Sequence, residues 1–303
     1  MSIKVILSPY ANRWNARRRW PEAEKALQEA GVDFSLAISE HAGEPEALAT
    51  RAVQDGFDTI IVAGGDGTIG EVLNGVACSG SAESNFPATL GILPMGSAND
   101  LAFALGIPLD LSAAARVIAA GKSRLVDASQ CNDRFFINNS GIALEPYVTT
   151  KQEKIRWIRG IARYLVAAVW AIMEKPEWQG SVEWEAGEYE GPLSLVSVGN
   201  GRRTGGFFLT PHADPFDGQL TLAYGYRATR RSILAVFPRL LKEGAGNYVE
   251  LPGMYEVNCR RVKIHLEPPS PVHTDGVLFR KWAADFDYKI HPAAVPVLMP
   301  AHE

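Results

Sequence analysis

Residues 59–62, all β-branched, feed into Gly64-Gly65-Asp66-Gly67-Thr68, and apolar residues then recur at Ile69, Val72, Leu73 and Val76. That i, i+3, i+4, i+7 spacing predicts a helix face, so 59–76 reads as strand, tight turn, helix. The order constrains the chain to an α/β arrangement that presents backbone N–H groups and a helix N-terminus to an anion. Glycines at 64, 65 and 67 let the main chain approach a ligand closely. Asp66 is out of place in a plain phosphate cradle. A carboxylate there repels phosphate unless a divalent cation lies between them, which points to a magnesium–nucleotide. Taken alone, the turn also fits an ordinary strand-to-helix connection.

The surrounding residues repeat the pattern. Strands are predicted at 3–7, 34–38 and 90–93, and helices at 15–30, 46–54 and 112–120, the last ended by Gly121. Pro21 offers an alternative start for the first of these helices, and Pro45 opens the second. A second turn, Pro94-Met95-Gly96-Ser97-Ala98-Asn99-Asp100, follows the 90–93 strand and opens a helix carrying Leu101, Ala104 and Leu105. Such alternation predicts a mostly parallel sheet between two helical layers, with ligands bound beyond the carboxyl ends of the strands. Both turns then face one crevice.

After Asp127 short strands predominate, at 135–137, 181–185, 193–198, 219–224, 261–266 and 286–290, separated by Gly, Pro, Asn and Asp clusters. That texture predicts a mainly antiparallel β-sandwich. Two helices interrupt it. One, at 154–173, carries Ile155, Ile158, Ile161, Leu165 and Val169 on its apolar stripe and is flanked by Lys151, Lys154, Arg156, Arg159 and Arg163; the other, at 229–241, is bent by Pro238. The expected division is a nucleotide-binding α/β domain over 1–125 and a β-sandwich substrate domain over 126–294, with 295–303 returning to the first as a strand. The basic helix suits either anionic lipid head groups or packing on the sandwich with its cations solvated.

Composition narrows the class. An apolar fraction of 47% and a charged fraction of 21% describe an ordinary globular protein, and a net charge of −4 gives no pull toward nucleic acid. The three cysteines are scattered, which argues against a disulfide framework and for a reducing, cytoplasmic setting. The six histidines show no metal-ligand spacing. The opening apolar run is too short for a signal peptide, and the longest uncharged one, at 164–173, cannot span a bilayer.

With both turns in view, the chain resembles the diacylglycerol kinase catalytic family, which includes bacterial lipid kinases, sphingosine kinases and ceramide kinases. Gly64-Gly65-Asp66-Gly67-Thr68 with Glu71 and Asn74 matches that family's nucleotide turn and helix, and the 94–100 turn resembles its second phosphate-side turn. Gly199-Asn200, Gly205-Gly206, Pro211-His212-Ala213 and Asp217-Gly218 resemble its second-domain signature. The resemblance implies transfer of the γ-phosphoryl group of ATP to a lipid hydroxyl, assisted by Mg²⁺, at the inner face of a membrane. Gly64, Gly65, Gly67, Thr68, Ser97 and Asn99 would hold the phosphates, Ser39 would touch the nucleotide, and Asp66 and Asp100 would face the catalytic Mg²⁺. Asp217, with carbonyls near Asp214 and Gln219, would hold a structural Mg²⁺, although Asp217-Gly218 is also an ordinary hairpin turn.

Four departures stand out. The family's opening Asn-Pro-x-Ser-Gly appears as Ser8-Pro9-Tyr10-Ala11-Asn12, followed by Arg13; Phe103 replaces a basic residue; Glu145 stands where aspartate is common; and the Asp-Gly-Glu carrying the general base reads Asp275-Gly276-Val277. Valine cannot accept a proton, which leaves Asp275, Asp66 or Glu145 as stand-ins. A base contributes about 10²–10⁴-fold, so its loss leaves two readings open: a kinase with another base, or a non-catalytic nucleotide- or lipid-binding homologue. An NAD kinase, which shares the glycine turn, is a minor third. The acceptor pocket is expected in the interdomain cleft and the sandwich interior, where Phe207, Phe208 and Trp170 serve equally as lining or core. Dimerisation through a sandwich edge stays open.

Overall fold

A computed structural model of the chain describes residues 2–79, 86–155 and 161–301. The first part runs β1 (Ile3–Leu7), α1 (Asn15–Glu29), β2 (Ser35–Ile38), α2 (Glu44–Gln54), β3 (Thr59–Gly64), α3 (Asp66–Ala77), β4 (Thr89–Pro94), α4 (Asp100–Ala104) and α5 (Leu111–Ala120). Its strands lie in the order β2-β1-β3-β4, all parallel. β3 is buried along its whole length, as a central strand covered on both faces must be. α1 packs with α5, and α2 with α3. Asp110 caps α5 by accepting from Ala113 N at 2.8 Å, and Gly121 ends it in the left-handed region at φ 64.

The chain continues through β5 (Ser123–Cys131), β6 (Arg134–Phe136), β7 (Asn139–Ala143), α6 (Leu144–Lys154), α7 (Ile161–Glu174), β8 (Trp178–Trp184), β9 (Gly187–Leu193) and β10 (Leu195–Gly199). Then come β11 (Arg203–Thr204), β12 (Phe207–Phe208), β13 (Leu220–Gly225), α8 (Arg230–Leu234), β14 (Met254–Cys259), β15 (Arg261–Thr274) and β16 (Val277–Leu298). β14, β13, β10 and β7 pair antiparallel as one layer, and β8 with β9 belongs to the other. β15 serves both: its start pairs with β8, and Val272, His273 and Thr274 pair with β7. A strand that changes layers this way forms the corner of a sandwich. The second core, including Trp178, Val196, Leu222, Ile264 and Phe286, fills the space between.

The domains are stitched together rather than strung. β5 carries Val126 and Ala128 in the first core but Cys131 in the second. β16 pairs with β15 and β5, then lays Val297 parallel to Leu90 of β4, so the chain's end closes the edge of the nucleotide-side sheet.

Several expected elements differ. Pro21 lies inside α1 at an exposed position, so the helix hydrogen bond lost with its missing N–H is given up on the solvent face. The single helix expected at 154–173 is two, α6 and α7, and residues 156–160, with Arg156, Ile158 and Arg159, lie outside the described residues, as do the side chains at 161–165. Val169, expected in a buried stripe, is 53% exposed, while Ala167, Ala168, Ala171 and Ile172 are buried. Among its described side chains α7 buries three alanines and Ile172 and turns Val166, Val169, Trp170 and Met173 outward. α8 ends at Leu234, well before Pro238, and its start carries a capping box between Thr229 and Ser232. β15 and β16 are far longer than expected because register shifts after His265 and Ser270 accommodate the prolines of β15 within a paired strand. No helix among the described residues is long and apolar enough to cross a membrane.

Candidate active site

The carboxyl ends of the parallel strands meet at one edge. Ser8 N donates to Ala63 O at 3.0 Å, Met95 N to Gly64 O at 2.9 Å, and Ser39 N to Leu7 O at 2.9 Å. Ser39 is buried there, its hydroxyl donating to Leu7 O at 3.3 Å. The 64–68 and 94–100 turns are therefore neighbours, pressed together at two glycines. A Cβ on Gly96 would fall 2.5 Å from Gly65 Cα, and one on Gly65 would fall 2.9 Å from Gly96 Cα. Gly64 makes room for Thr68, which is buried beneath the turn.

α3 starts at Asp66 behind an extended Gly65, with no side chain capping its N-terminus. Its first N–H groups and the positive end of its dipole are thus left for a ligand. Asp66 Oδ1 accepts from Leu101 N at 2.9 Å and ties the turn to α4. Asn99, left-handed at φ 52, closes the second turn: its Oδ1 accepts from Gly96 N at 2.8 Å and its Nδ2 donates to Gly96 O at 3.2 Å. Ser97 Oγ donates to Asn12 Oδ1 at 3.0 Å, which brings the first loop to the same place. Asn12, Arg13 and Trp14 all take positive φ, a region that Asn tolerates better than most residues with a side chain.

Asp100 joins this edge to the second domain. Arg203 Nε and Nη2 both lie 3.0 Å from Asp100 Oδ1, and Gly206 N donates to the same carboxylate. Burial raises the Asp100 pKa, the charge of Asp66 adds to that rise, and Arg203 opposes it. The Arg203 guanidinium also stacks 3.8 Å from the Phe103 ring centroid. A cation from the sandwich thus occupies the neighbourhood in which residue 103 offers none. Asn74 clamps the domains nearby, its side chain accepting from Phe135 N at 2.9 Å and donating to Phe135 O at 2.8 Å.

The Asp275–Gly276 turn packs against α3. Both residues take positive φ, 48 and 79, and Thr274 pairs with Val277, the geometry of a two-residue hairpin. Asp275, one of the expected stand-in bases, sits in this turn. Its carboxylate accepts from the N–H groups of Ile137, Asn138 and Asn139 at 3.0–3.1 Å, leaving it committed to the β6–β7 connection. Burial pushes its pKa up to about 6 despite those donors, with Asp66 adding to the rise. Val277 touches the glycine turn itself: a Cβ on Gly67 would lie 2.7 Å from Val277 Cγ2.

Sequence reasoning offered Glu145 as a stand-in base but missed its partner, His273. Glu145 Oε1 lies 2.8 Å from His273 Nε2, with His273 fully enclosed. Burial lowers the His273 pKa, but the Glu145 carboxylate, with Asp275 behind it, more than offsets this, and the net shift is upward. Glu145 lines an otherwise largely apolar cavity together with Val148, Phe207, Ile233, Phe237 and Leu240. Its lining, mostly apolar with a few polar groups, has the character of a small-molecule pocket. Phe207 lines it, whereas Phe208 packs edge-on against Phe103 and Trp170 sits at the surface. The pair forms because β15 sets His273 beside Gly141 of β7, a register that no local pattern states.

The loop proposed for a structural cation lies elsewhere. Asp217 Oδ1 accepts from Gln219 N at 2.8 Å and Asp214 Oδ1 from Phe216 N at 3.1 Å, so both close their own turns. Asp127, which the sequence did not single out, accepts from Gly218 N at 2.7 Å and Ala293 N at 2.6 Å. Burial raises the Asp217 pKa, and the charges of Asp214 and Asp127 raise it further. Crowded carboxylate oxygens of this kind suit a hard cation. Among the described residues, no group of three or more His, Cys, Asp or Glu side chains has the geometry to hold a metal alone, so a cation there needs the backbone carbonyls as well.

Comparison with known proteins agrees along the whole chain. Residues 2–131 match the family model described as diacylglycerol kinase catalytic domain, and residues 140–299 match that of the YegS C-terminal NAD kinase beta sandwich-like domain. A diacylglycerol kinase of Staphylococcus aureus (strain bovine RF122 / ET3-1) is 29% identical over 286 residues, covering 93% of this chain and 88% of its own. One from Staphylococcus carnosus (strain TM300) is 27% identical over 285 residues, covering 93% and 90%. The fold matches a crystal structure of a diacylglycerol kinase from Bacillus anthracis str. Sterne with a TM-score of 0.73 and 21% identity, over 99% of this chain and 97% of that one.

Proposed function

The chain belongs to the diacylglycerol kinase catalytic family, and from that premise we propose that it transfers the γ-phosphoryl group of ATP to the hydroxyl of a lipid. One observation carries the reading: the two glycine turns and the apolar cavity adjoin at β11, where Arg203 holds Asp100 and the next residue, Thr204, lines the cavity. A polyanion at the α3 N-terminus and an alkyl chain in the sandwich would thus meet at one boundary.

In this reading Gly64, Gly65, Gly67, Thr68, Ser97 and Asn99 shape the phosphate site, and Ser39 borders the nucleotide. Phosphoryl transfer depends mainly on positioning and charge stabilisation, which is what these rigid turns offer. Asp66 and Asp100 are the hard oxygen donors available for Mg²⁺, which when bound would neutralise charge on the transferring group. Asp217, with carbonyls of Asp214 and Gln219, would hold a second, structural ion. The lipid would come from a membrane surface at its cytoplasmic side. Val166, Val169, Trp170 and Met173 on α7, with Leu234 and Leu241, are exposed large apolar side chains. Arg230 donates to Met173 O at 2.9–3.1 Å, which joins α7 to α8, the helix whose Ile233 lines the cavity.

The test is transfer of labelled γ-phosphate from ATP to a panel of diacylglycerol, sphingoid base, ceramide and, as a contrast, NAD. Labelled lipid supports the reading; label in NAD, or in nothing while ATP binds, overturns it. A non-catalytic binding homologue is the second reading, favoured by Val277 lying against Gly67 with Asp275 committed to the backbone. Val277→Glu separates the two. A gain in lipid phosphorylation of about tenfold or more is expected if a base is the limiting group at that position, and no gain in a protein that phosphorylates no lipid favours a site that has diverged further.

A further inference from the structure

Glu145 and Arg227 are the charged side chains lining the cavity. Arg227 is engaged with carbonyls, donating to Ser232 O at 3.3 Å and to Pro252 O at 2.9 Å. Glu145 is not fully engaged. Its Oε1 meets His273, but its Oε2 is buried with no hydrogen-bond partner, and so is Thr204 Oγ1 in the same lining. A buried carboxylate oxygen without a donor is costly, and a folded protein retains one where something else brings the donor.

The backbone is shaped around this pair. A Cβ on Gly141 would lie 2.3 Å from Glu145 Oε2 and 2.7 Å from His273 Nε2, so only glycine leaves the carboxylate its place. Ala143, just before α6, takes φ 68, a conformation that L residues rarely adopt, and Glu145 follows in the first turn of that helix. On one side of Glu145 lies the apolar lining of the cavity. On the other, His273 is followed two residues later by Asp275, which packs on Gly70 of α3. A hydroxyl at the polar end of an alkyl-bearing ligand would supply the missing donor.

We propose that Glu145 Oε2 accepts the hydrogen bond of the acceptor lipid's hydroxyl and takes its proton during transfer, while His273 holds the carboxylate in place. The proposal rests on the kinase reading. The acceptor O–H bond breaks and its proton passes to Glu145. The oxygen's electron pair forms the new O–P bond, and the bond from the γ-phosphorus to its bridging oxygen breaks, with that pair leaving on ADP. Val277 then needs no substitute on its own strand, because the base comes from the cavity side. His273 is a positioning residue, its Nε2–H donating to Oε1 in the tautomer that the carboxylate selects.

The test has a binding arm and a turnover arm. In binding, wild-type protein should prefer hexadecanol to hexadecyl methyl ether by about tenfold or more, since the ether has no proton to donate, and Glu145→Leu should abolish the preference. In turnover, with dioleoylglycerol in mixed micelles, Glu145→Gln should lower kcat by about 10²–10⁴-fold with the KM for ATP unchanged. His273→Leu should behave similarly, and His273→Gln, which still offers an N–H, should recover much of the loss. Wild-type binding of alcohol and ether alike, or a Glu145→Gln variant with undiminished kcat, overturns the proposal. If Glu145→Gln folds poorly, the wild-type alcohol preference still decides the hydroxyl contact. Wild-type protein that turns over no lipid yet keeps a Glu145-dependent alcohol preference overturns the kinase reading and the proton transfer, and supports the hydroxyl site alone.

Discussion

Asp275 shows how little a carboxylate's identity reveals about its role. Next to a glycine and two residues from the expected base position, it invites a catalytic assignment, yet three backbone N–H groups hold it. Its pKa is raised from an ordinary 3.8 to about 6, so the folded state binds its proton more tightly than the unfolded state. The stability this group contributes is therefore fully present below about pH 3.8 and is lost as pH rises through about 6. At 1.36 kcal/mol per unit, that share is about 3 kcal/mol in order of magnitude. Asp275→Asn cannot titrate and turns an amide NH₂ toward an N–H donor, so it should be destabilising. Its penalty should shrink as pH rises from 4 to 7, which urea melts of both proteins across that range measure; a penalty that grows with pH would contradict the assignment.

At the scale of elements, the glycine turn was readable because strand period, glycine spacing and helix period agree within 18 residues, 59–76. The contact between the two turns was not, since nothing local states that Gly65 and Gly96 approach each other. That contact makes a specific prediction. Gly96→Ala puts a Cβ 2.5 Å from Gly65 Cα, where backbone on both sides prevents relief. The turns should separate and ATP affinity should fall about tenfold or more, as calorimetric titration would show, while the distant sandwich core stays folded. β15 and β16 were under-read for the opposite reason. Their prolines argue locally against strand, and only the register shifts of the finished sheet reconcile them. α7 misled because large apolar residues were taken for the buried ones, whereas its alanines are. Arg203 and His273 had no local signal at all. Each acquires its role from a partner far along the chain, Asp100 or Glu145.

At the scale of the whole molecule, the last strand belongs to both domains. Val295, Val297, Leu298 and Met299 are buried in the first core, and Val297 pairs with Leu90. Deleting residues 295–303 should therefore damage the nucleotide side, although the cut lies in the sandwich's own final strand. Removing buried side chains of this kind costs roughly 1–3 kcal/mol each, enough together to consume most of a typical domain's stability. The truncated protein should lose its cooperative melt and its ATP binding together. A truncated protein with intact ATP binding would show that the strand is dispensable.

The position of that strand also sets a timetable for biosynthesis. β4 is complete by residue 94, but its covering neighbour is not made until residue 297. At about 5–20 residues per second, the ribosome takes roughly 10–40 s to cover that distance. Throughout that interval the nascent first domain carries an open sheet edge at β4, a template for pairing with other chains. A cell making this protein must shelter that edge until residue 297 has emerged and paired.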